Sequence, residues 1–202
     1  MTPLPRGGVR RRAAPRAGGL GLETAGIAAD ERGAIGVDGR CGAGDGLWAL
    51  GDVTGVALFT HVAMYQGRVV ADNILGWPRA ASYHGIPRVE FGDPDIAAVG
   101  LTSDQARAAD ISLAATEISL GDAIARPYTY ERDPRGTLGL LADRDRRVLV
   151  GAWALAPLAS EWIHQAALAI RASIPVDVLL DQVPQFPTYS EAYLAALDQL
   201  GL

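Results

Sequence analysis

Apolar residues recur along this chain in two rhythms. From His61 to Leu75 the spacing is helical: Val62, Tyr65, Val69 and Ile74 fall on one side, with Ala63, Gly67 and Ala71 as small packing positions. Thr60 is the expected N-cap and Gly76-Trp77-Pro78 the stop. The clearest helical stripe is Ala159, Trp162, Ile163, Ala166, Ala167 and Ile170, and Pro175 ends that region. Thr102-x-x-Gln105 and Thr188-x-x-Glu191 are capping-box sequences. They open a short helix to about Asp110 and a final helix after Pro187. The second rhythm is that of strands. Arg88 to Phe91, Ile96 to Gly100, Leu113 to Leu120, Leu138 to Ala142 and Val148 to Ala156 are strand-like. A Gly-Asp-Pro-Asp turn follows the first, and Asp143 to Arg147 turns the chain between the last two. Tight turns between consecutive strands, with helices grouped around them, predict an α+β domain on an antiparallel sheet.

Upstream the pattern is weaker. Ala34 to Val37 and Leu47 to Leu50 are short strand candidates, the second a buried-type run closed by Gly51-Asp52. Residues 77–87, with Pro78 and Pro87, have the composition of a linker. This gives one domain over 19–84 and a second over 86–200.

Composition narrows the function classes. The sequence is 49% hydrophobic and 20% charged, ordinary for a globular protein, and no apolar run is long enough for a membrane span. A net charge of -5 gives no reason to expect a nucleic-acid partner. All 18 basic residues are arginine, which excludes lysine chemistry. Residues 1–18 hold five arginines, no acid and almost no large apolar residue, and they read as a disordered basic leader. Cys41 is the single cysteine, so no intrachain disulfide supports the fold, and a cytoplasmic location is expected. His61, His84 and His164 are far apart, with no carboxylate at metal-site spacing.

The run Leu47-Trp48-Ala49-Leu50-Gly51-Asp52 resembles the second FAD-binding motif of the class I pyridine nucleotide-disulfide oxidoreductases, the family of dihydrolipoamide dehydrogenase, mercuric reductase and soluble transhydrogenase. Thr60-His61-Val62-Ala63, Gln66-Gly67 and Ala71-Asp72-Asn73-Ile74 resemble the helix that follows it. Pro87 to Phe91, Asp93 to Thr102, Gly151-Ala152, Ala159 to Ile163 and Pro187-Thr188-Tyr189-Ser190-Glu191 resemble that family's dimerisation domain, so the likeness runs over roughly 20–200. The resemblance implies an FAD contact through Gly51, Asp52, Thr60, His61 and Val62. Asp52 would accept a hydrogen bond from the flavin ribityl chain, and the helix N-terminus would face the N1–C2=O edge of the flavin. It also implies NAD(P)H as reductant and a homodimer built through residues 86–200.

The departures matter as much. Phe186 occupies the position of the family's acid-base histidine, and a phenyl ring carries no proton. Glu191 keeps the place of the paired glutamate, but its capping-box role accounts for it without catalysis. The chain has no G-x-G-x-x-G loop between a strand and a helix, and no redox cysteine pair. No catalytic residue is therefore assigned. Two readings follow: the C-terminal portion of a FAD-dependent NAD(P)H oxidoreductase, inactive alone, or a non-catalytic dimerising module with vestigial flavin contacts. The basic leader lies where an NAD domain would join, which suggests a truncated gene, a frameshifted start or a natural solo domain.

Overall fold

Short polar turns, more than long apolar runs, shape the first part of the chain in the computed structural model, which describes residues 13–202. The chain divides into two units, Met1–Ser82 and Tyr83–Leu202. In the first, the Asp30 carboxylate accepts from the N–H groups of Arg32 and Ala34 at 2.9 and 2.8 Å. Asp38 does the same for Arg40 and Gly42 at 2.8 and 2.7 Å. These two aspartate turns crowd the segment between them. The strand expected over Ala34 to Val37 is consequently reduced to a single bridge, Ala29 to Ile35. The run Leu47 to Leu50 is also shorter than expected. β1 (Gly42–Gly44) and β2 (Leu47–Trp48) form a small antiparallel hairpin, and Leu50 lies outside it, partly exposed.

α1 spans Thr60–Ile74. Its N-cap is the extended residue Phe59, with no side-chain cap, so Thr60 is the first helical residue and not the cap. Val62, Gln66, Val69 and Val70 form its buried face, whereas Ile74, expected inside, is exposed. The helix ends in a Schellman motif. Gly76 takes φ +82°, its N–H donates to Asn73 O at 3.1 Å, and Trp77 N–H reaches Asp72 O at 2.8 Å. The cores of this unit are small: Ala17 with Ile35 and Ala49, and Cys41 with Val69 and Val70. Ala17 corrects the reading of the basic leader. Of that leader, residues 13–18 are described, and Ala17 is buried among apolar neighbours. The rest of it lies outside the described residues.

The second unit follows its pattern closely. β3 (Pro87–Glu90) and β4 (Asp95–Gly100) form the first hairpin. α2 (Ser103–Ala108) opens with both halves of the Thr102/Gln105 capping box in place. β5 (Leu113–Ser119) leads through α3 (Leu120–Ala123) to β6 (Thr137–Asp143) and β7 (Val148–Ala156). The five strands are ordered β3-β4-β7-β6-β5, every neighbour antiparallel, as the α+β reading requires. Gly100 ends β4 at φ +74°. A β-carbon there would meet the Val150 carbonyl and the Gly151 backbone, so only glycine fits the close approach of these strands.

α4 (Ala159–Trp162) and α5 (His164–Ala172) carry the long apolar stripe, interrupted as regular helix at Ile163. All six stripe residues are buried in the core of this unit, together with Ala97, Val99, Leu138, Leu140, Ala152 and Ala154 of the sheet. α6 (Val176–Leu180), which the pattern did not announce, begins at Pro175, and α7 (Glu191–Asp198) closes the chain. α7 has Ser190 as its N-cap, two residues later than a complete Thr188 capping box requires. The Thr188 hydroxyl turns back to donate to Gln185 O at 2.6 Å, and α7 has no side-chain cap. Only the other half of the box forms, with Thr188 N–H donating to Glu191 Oε2 at 2.8 Å.

Candidate functional site

After β2 the chain turns sharply through a 3-10 helix, Gly51–Thr54. Gly51 adopts φ +79°, a conformation that favours glycine, and a β-carbon on it would lie 3.3 Å from Ala63 Cβ in the first turn of α1. The turn is tied to that helix by Gln66. The Gln66 side chain is fully buried, and its Oε1 accepts from Gly51 N–H at 2.6 Å. Thr54 donates its hydroxyl to Gly51 O at 2.8 Å, while Gln66 Nε2 contacts Thr54 Oγ1 at 3.4 Å. Gly55 N–H then closes the turn on Asp52 O at 3.0 Å. Backbone and amide bonds thus fix the turn against the first half of α1, and the Asp52 carboxylate is left exposed to solvent.

The residues named from the sequence separate accordingly. Gly51 is buried at the contact with the helix, and Asp52, Thr60 and His61 are exposed on the same turn-and-helix unit. The Phe59 and His61 rings stack at 5.1 Å with 18° between their planes, at the entry to α1. Val62 turns its side chain into the core, and its N–H donates to Phe59 O at 3.0 Å. An exposed carboxylate beside the first turn of a helix offers one acceptor and a region of partial positive charge. That combination suits a ligand carrying both hydroxyl donors and a polar, electron-rich edge. Gln66 is the member that sequence reasoning left without a role. Its signal was present, since an amide sits on the apolar face between Val62 and Val69 and a buried amide requires partners.

The C-terminal segment is a second candidate, within the other unit. Phe186 is 76% exposed and Val183 95% exposed on the loop before α7. Glu191 is engaged by Thr188 N–H. Tyr189 stacks on Trp162 with ring centroids 5.6 Å apart, and its hydroxyl is buried without a hydrogen-bond partner among the described residues. Burial, the largest cause, raises the Tyr189 hydroxyl above its ordinary value, and the nearby Tyr130 acts in the same sense. No imidazole stands in this segment, and among the described residues no group of His, Cys, Asp and Glu could hold a metal. No helix of the described residues is long and apolar enough to cross a membrane.

A five-stranded antiparallel sheet backed by helices, entered from a short linker and closed by the Pro-Thr-Tyr-Ser-Glu segment, defines the class. Residues 86–197 match the family model of the pyridine nucleotide-disulphide oxidoreductase dimerisation domain. The chain belongs to the pyridine nucleotide-disulphide oxidoreductase family. It is 39% identical over 176 residues to a mercuric reductase of Streptomyces lividans, covering 86% of this chain and 37% of that protein. It is 33% identical over 188 residues to a dihydrolipoyl dehydrogenase of Geobacillus stearothermophilus, covering 91% of this chain and 39% of that protein. Among solved structures it superposes on the HOCl-induced flavoprotein disulfide reductase RclA of Escherichia coli with a TM-score of 0.82 at 31% identity, covering 92% of this chain and 43% of that one. It superposes on LpdA of Mycobacterium tuberculosis with a TM-score of 0.84 at 28% identity, covering 93% and 41%. The chain therefore spans about 40% of the length of the relatives it matches.

Proposed function

We propose that this chain serves as the C-terminal portion of a FAD-dependent NAD(P)H oxidoreductase, supplying a flavin contact and the dimer interface, and that it is inactive alone. Residues 19–84 are then part of an FAD-binding domain and residues 86–200 a dimerisation domain. The observation that carries this reading is the Gly51–Thr54 turn, locked to α1 through Gln66 with Asp52 left exposed. A buried glutamine spent on positioning a solvent-facing turn is hard to account for by stability alone, because an apolar residue could have filled the same space. In this reading Asp52 accepts from a ribityl hydroxyl. The exposed end of α1 at Thr60 and His61 would offer its partial positive charge to the polar edge of the isoalloxazine. When bound, FAD supplies the redox chemistry; the chain's own residues orient it and place partial positive charge beside it. NAD(P)H as reductant follows from the family.

A second reading, a non-catalytic dimerising module with vestigial flavin contacts, is favoured by the C-terminal segment. Phe186 cannot move a proton, and Glu191 is occupied by the Thr188 N–H. FAD affinity separates the two. Three or four hydrogen bonds at about 1 kcal/mol net each reach only the ~4 kcal/mol of millimolar binding, before the cost of immobilising the ligand. The purified chain is expected to be colourless, to bind added FAD no more tightly than millimolar by fluorescence polarisation, and to show no NADH- or NADPH-driven dye reduction. Asp52→Ala should remove what FAD binding remains. If Asp52→Ala leaves that residual binding unchanged, the flavin contact is lost from the proposal and the second reading stands. A yellow preparation that turns over NAD(P)H would overturn the statement that the chain is inactive alone.

A further inference from the structure

The face of the sheet that points away from the main core of the second unit holds a trough of about 260 Å³, bounded on one side by the start of α2. Its lining is Arg88, Ala98, Leu101, Thr102, Ser103, Ala152 and Trp153. Three of these lie in one row across the strands: Arg88 of β3 pairs with Ala98 of β4, and Ala98 with Trp153 of β7. The row continues to Gly139 of β6. Trp153 is thus flanked by the two smallest residues. Its indole lies over Gly139, where even a β-carbon would collide with the ring. The ring leaning that way leaves Ala98 as an uncovered floor, with the Arg88 side chain as the opposite wall. Arg88 and Trp153 stand two strand spacings apart, roughly 10 Å at the backbone. A gap of that size accepts one planar ring beside the indole, with the guanidinium left to meet a charge on the ring's rim.

The polar groups at the trough share one sign. Arg88 donates one N–H to Gly100 O at 3.2 Å and forms no ion pair among the described residues, so its other N–H groups remain available. Thr102 Oγ1 accepts from Gln105 N–H at 3.2 Å, which leaves its own hydrogen free to donate, and Ser103 adds a second hydroxyl. No acidic side chain lines the trough. An apolar slot with an indole on one side, ending in a cation and two hydroxyls, matches an anionic ligand with a planar body. We propose that this trough is a binding site for small aromatic carboxylates, held with the ring over Ala98 against Trp153 and the carboxylate toward Arg88, Thr102 and Ser103. The site is independent of the flavin contact, because every residue in it belongs to the second unit.

The test uses the whole chain, 15N-labelled, with 2-naphthoate as probe and 2-naphthalenemethanol as its neutral counterpart. The chain has four tryptophans, so four indole N–H signals are followed, with that of Trp153 assigned from the Trp153→Phe variant. The expected result is a saturable shift of the Trp153 signal with 2-naphthoate, at least tenfold tighter than with the alcohol. Arg88→Gln, an exposed position that leaves the fold intact, should abolish that tenfold preference while the alcohol binds as before. Cyclohexanecarboxylate, which has the charge but no planar ring, should bind at least fivefold more weakly than 2-naphthoate. A Trp153 signal that does not move, or a shift of equal affinity in the Arg88→Gln protein, overturns the proposal.

Discussion

At the scale of single residues, the candidate flavin contact depends less on the residue that would touch the ligand than on the one that holds it in place. Asp52 was singled out in the sequence because Leu47 to Asp52 and the helix after it resemble a family motif. Gln66 was not assigned a role, because its partners, Gly51 and Thr54, are reached only once the turn has folded back on the helix. Removing Gln66 should cost more than removing Asp52. Gln66→Ala deletes the bond to Gly51 N–H and leaves that donor buried, at a cost of about 2–3 kcal/mol. Gln66→Met separates the causes. It refills the volume but offers no comparable acceptor, so the loss should persist in urea unfolding of the chain. Full recovery of stability by Met would mean that packing, not the hydrogen bond, secures the turn. Asp52→Ala, at an exposed position, should change stability by less than about 0.5 kcal/mol.

At the scale of elements, the second unit was readable because each strand and helix obeys its own period, whereas the first was not. β6, β7 and β5 come within a residue of their expected limits because alternation and turn chemistry agree there. α6 escaped notice because five residues are too few to display a helical period. Ala34 to Val37 failed as a strand because its backbone groups are drawn elsewhere, Ala34 N–H to the Asp30 carboxylate and Ile35 N–H to Val53 O. Contacts between distant elements are equally invisible to periodicity. Leu158, the N-cap of α4, sits at φ +57° and has no side chain able to cap. Asp95 of β4 does it instead, its Oδ2 accepting from Ser160 N–H at 3.2 Å and Ser160 Oγ at 2.7 Å. The Ser160 hydroxyl first, and its N–H after it, hold the Asp95 carboxyl below the ordinary carboxylate value. A depressed folded pKa stabilises the protein above the unfolded value, near pH 4, and that stabilisation fades as pH falls through the folded one. Asp95→Asn should therefore cost roughly 1–2 kcal/mol at pH 7. The gap between the two proteins, measured by urea unfolding, should shrink as pH falls from the ordinary carboxylate value through the lower folded one. A gap that stays constant across that range would show that the carboxylate charge plays no part in joining β4 to α4.

At the scale of the whole molecule, the remaining question is what covers the apolar side chains that the second unit leaves in water. Leu168 on the outer side of α5 is 59% exposed, and Val183 and Phe186 project from the loop before α7. Leu168 and Val183 belong to one region, because Gln165, a turn before Leu168, donates its amide to Gln182 Oε1 at 2.6 Å. Three large apolar groups held out by a helix and a hydrogen-bonded loop are unfavourable unless another surface meets them. In the homodimer proposed above, the partner is a second copy of the same chain, related by a twofold axis so that each copy offers the same patch. Light scattering should then give twice the 21.2 kDa of one chain. Leu168→Glu buries a charge at such a contact twice per dimer. It should weaken association by at least about thirtyfold, the equivalent of ~2 kcal/mol for a central interface residue. Circular dichroism should be unchanged, because Leu168 makes no contribution to the core of its own chain. Val183→Glu should act in the same direction. A chain that is monomeric at high micromolar concentration would remove the homodimer from the proposed function. A dimer that resists both substitutions would keep the homodimer but move its contact to another face, with the open side of the sheet around Ile96 and Leu155 the next surface to mutate.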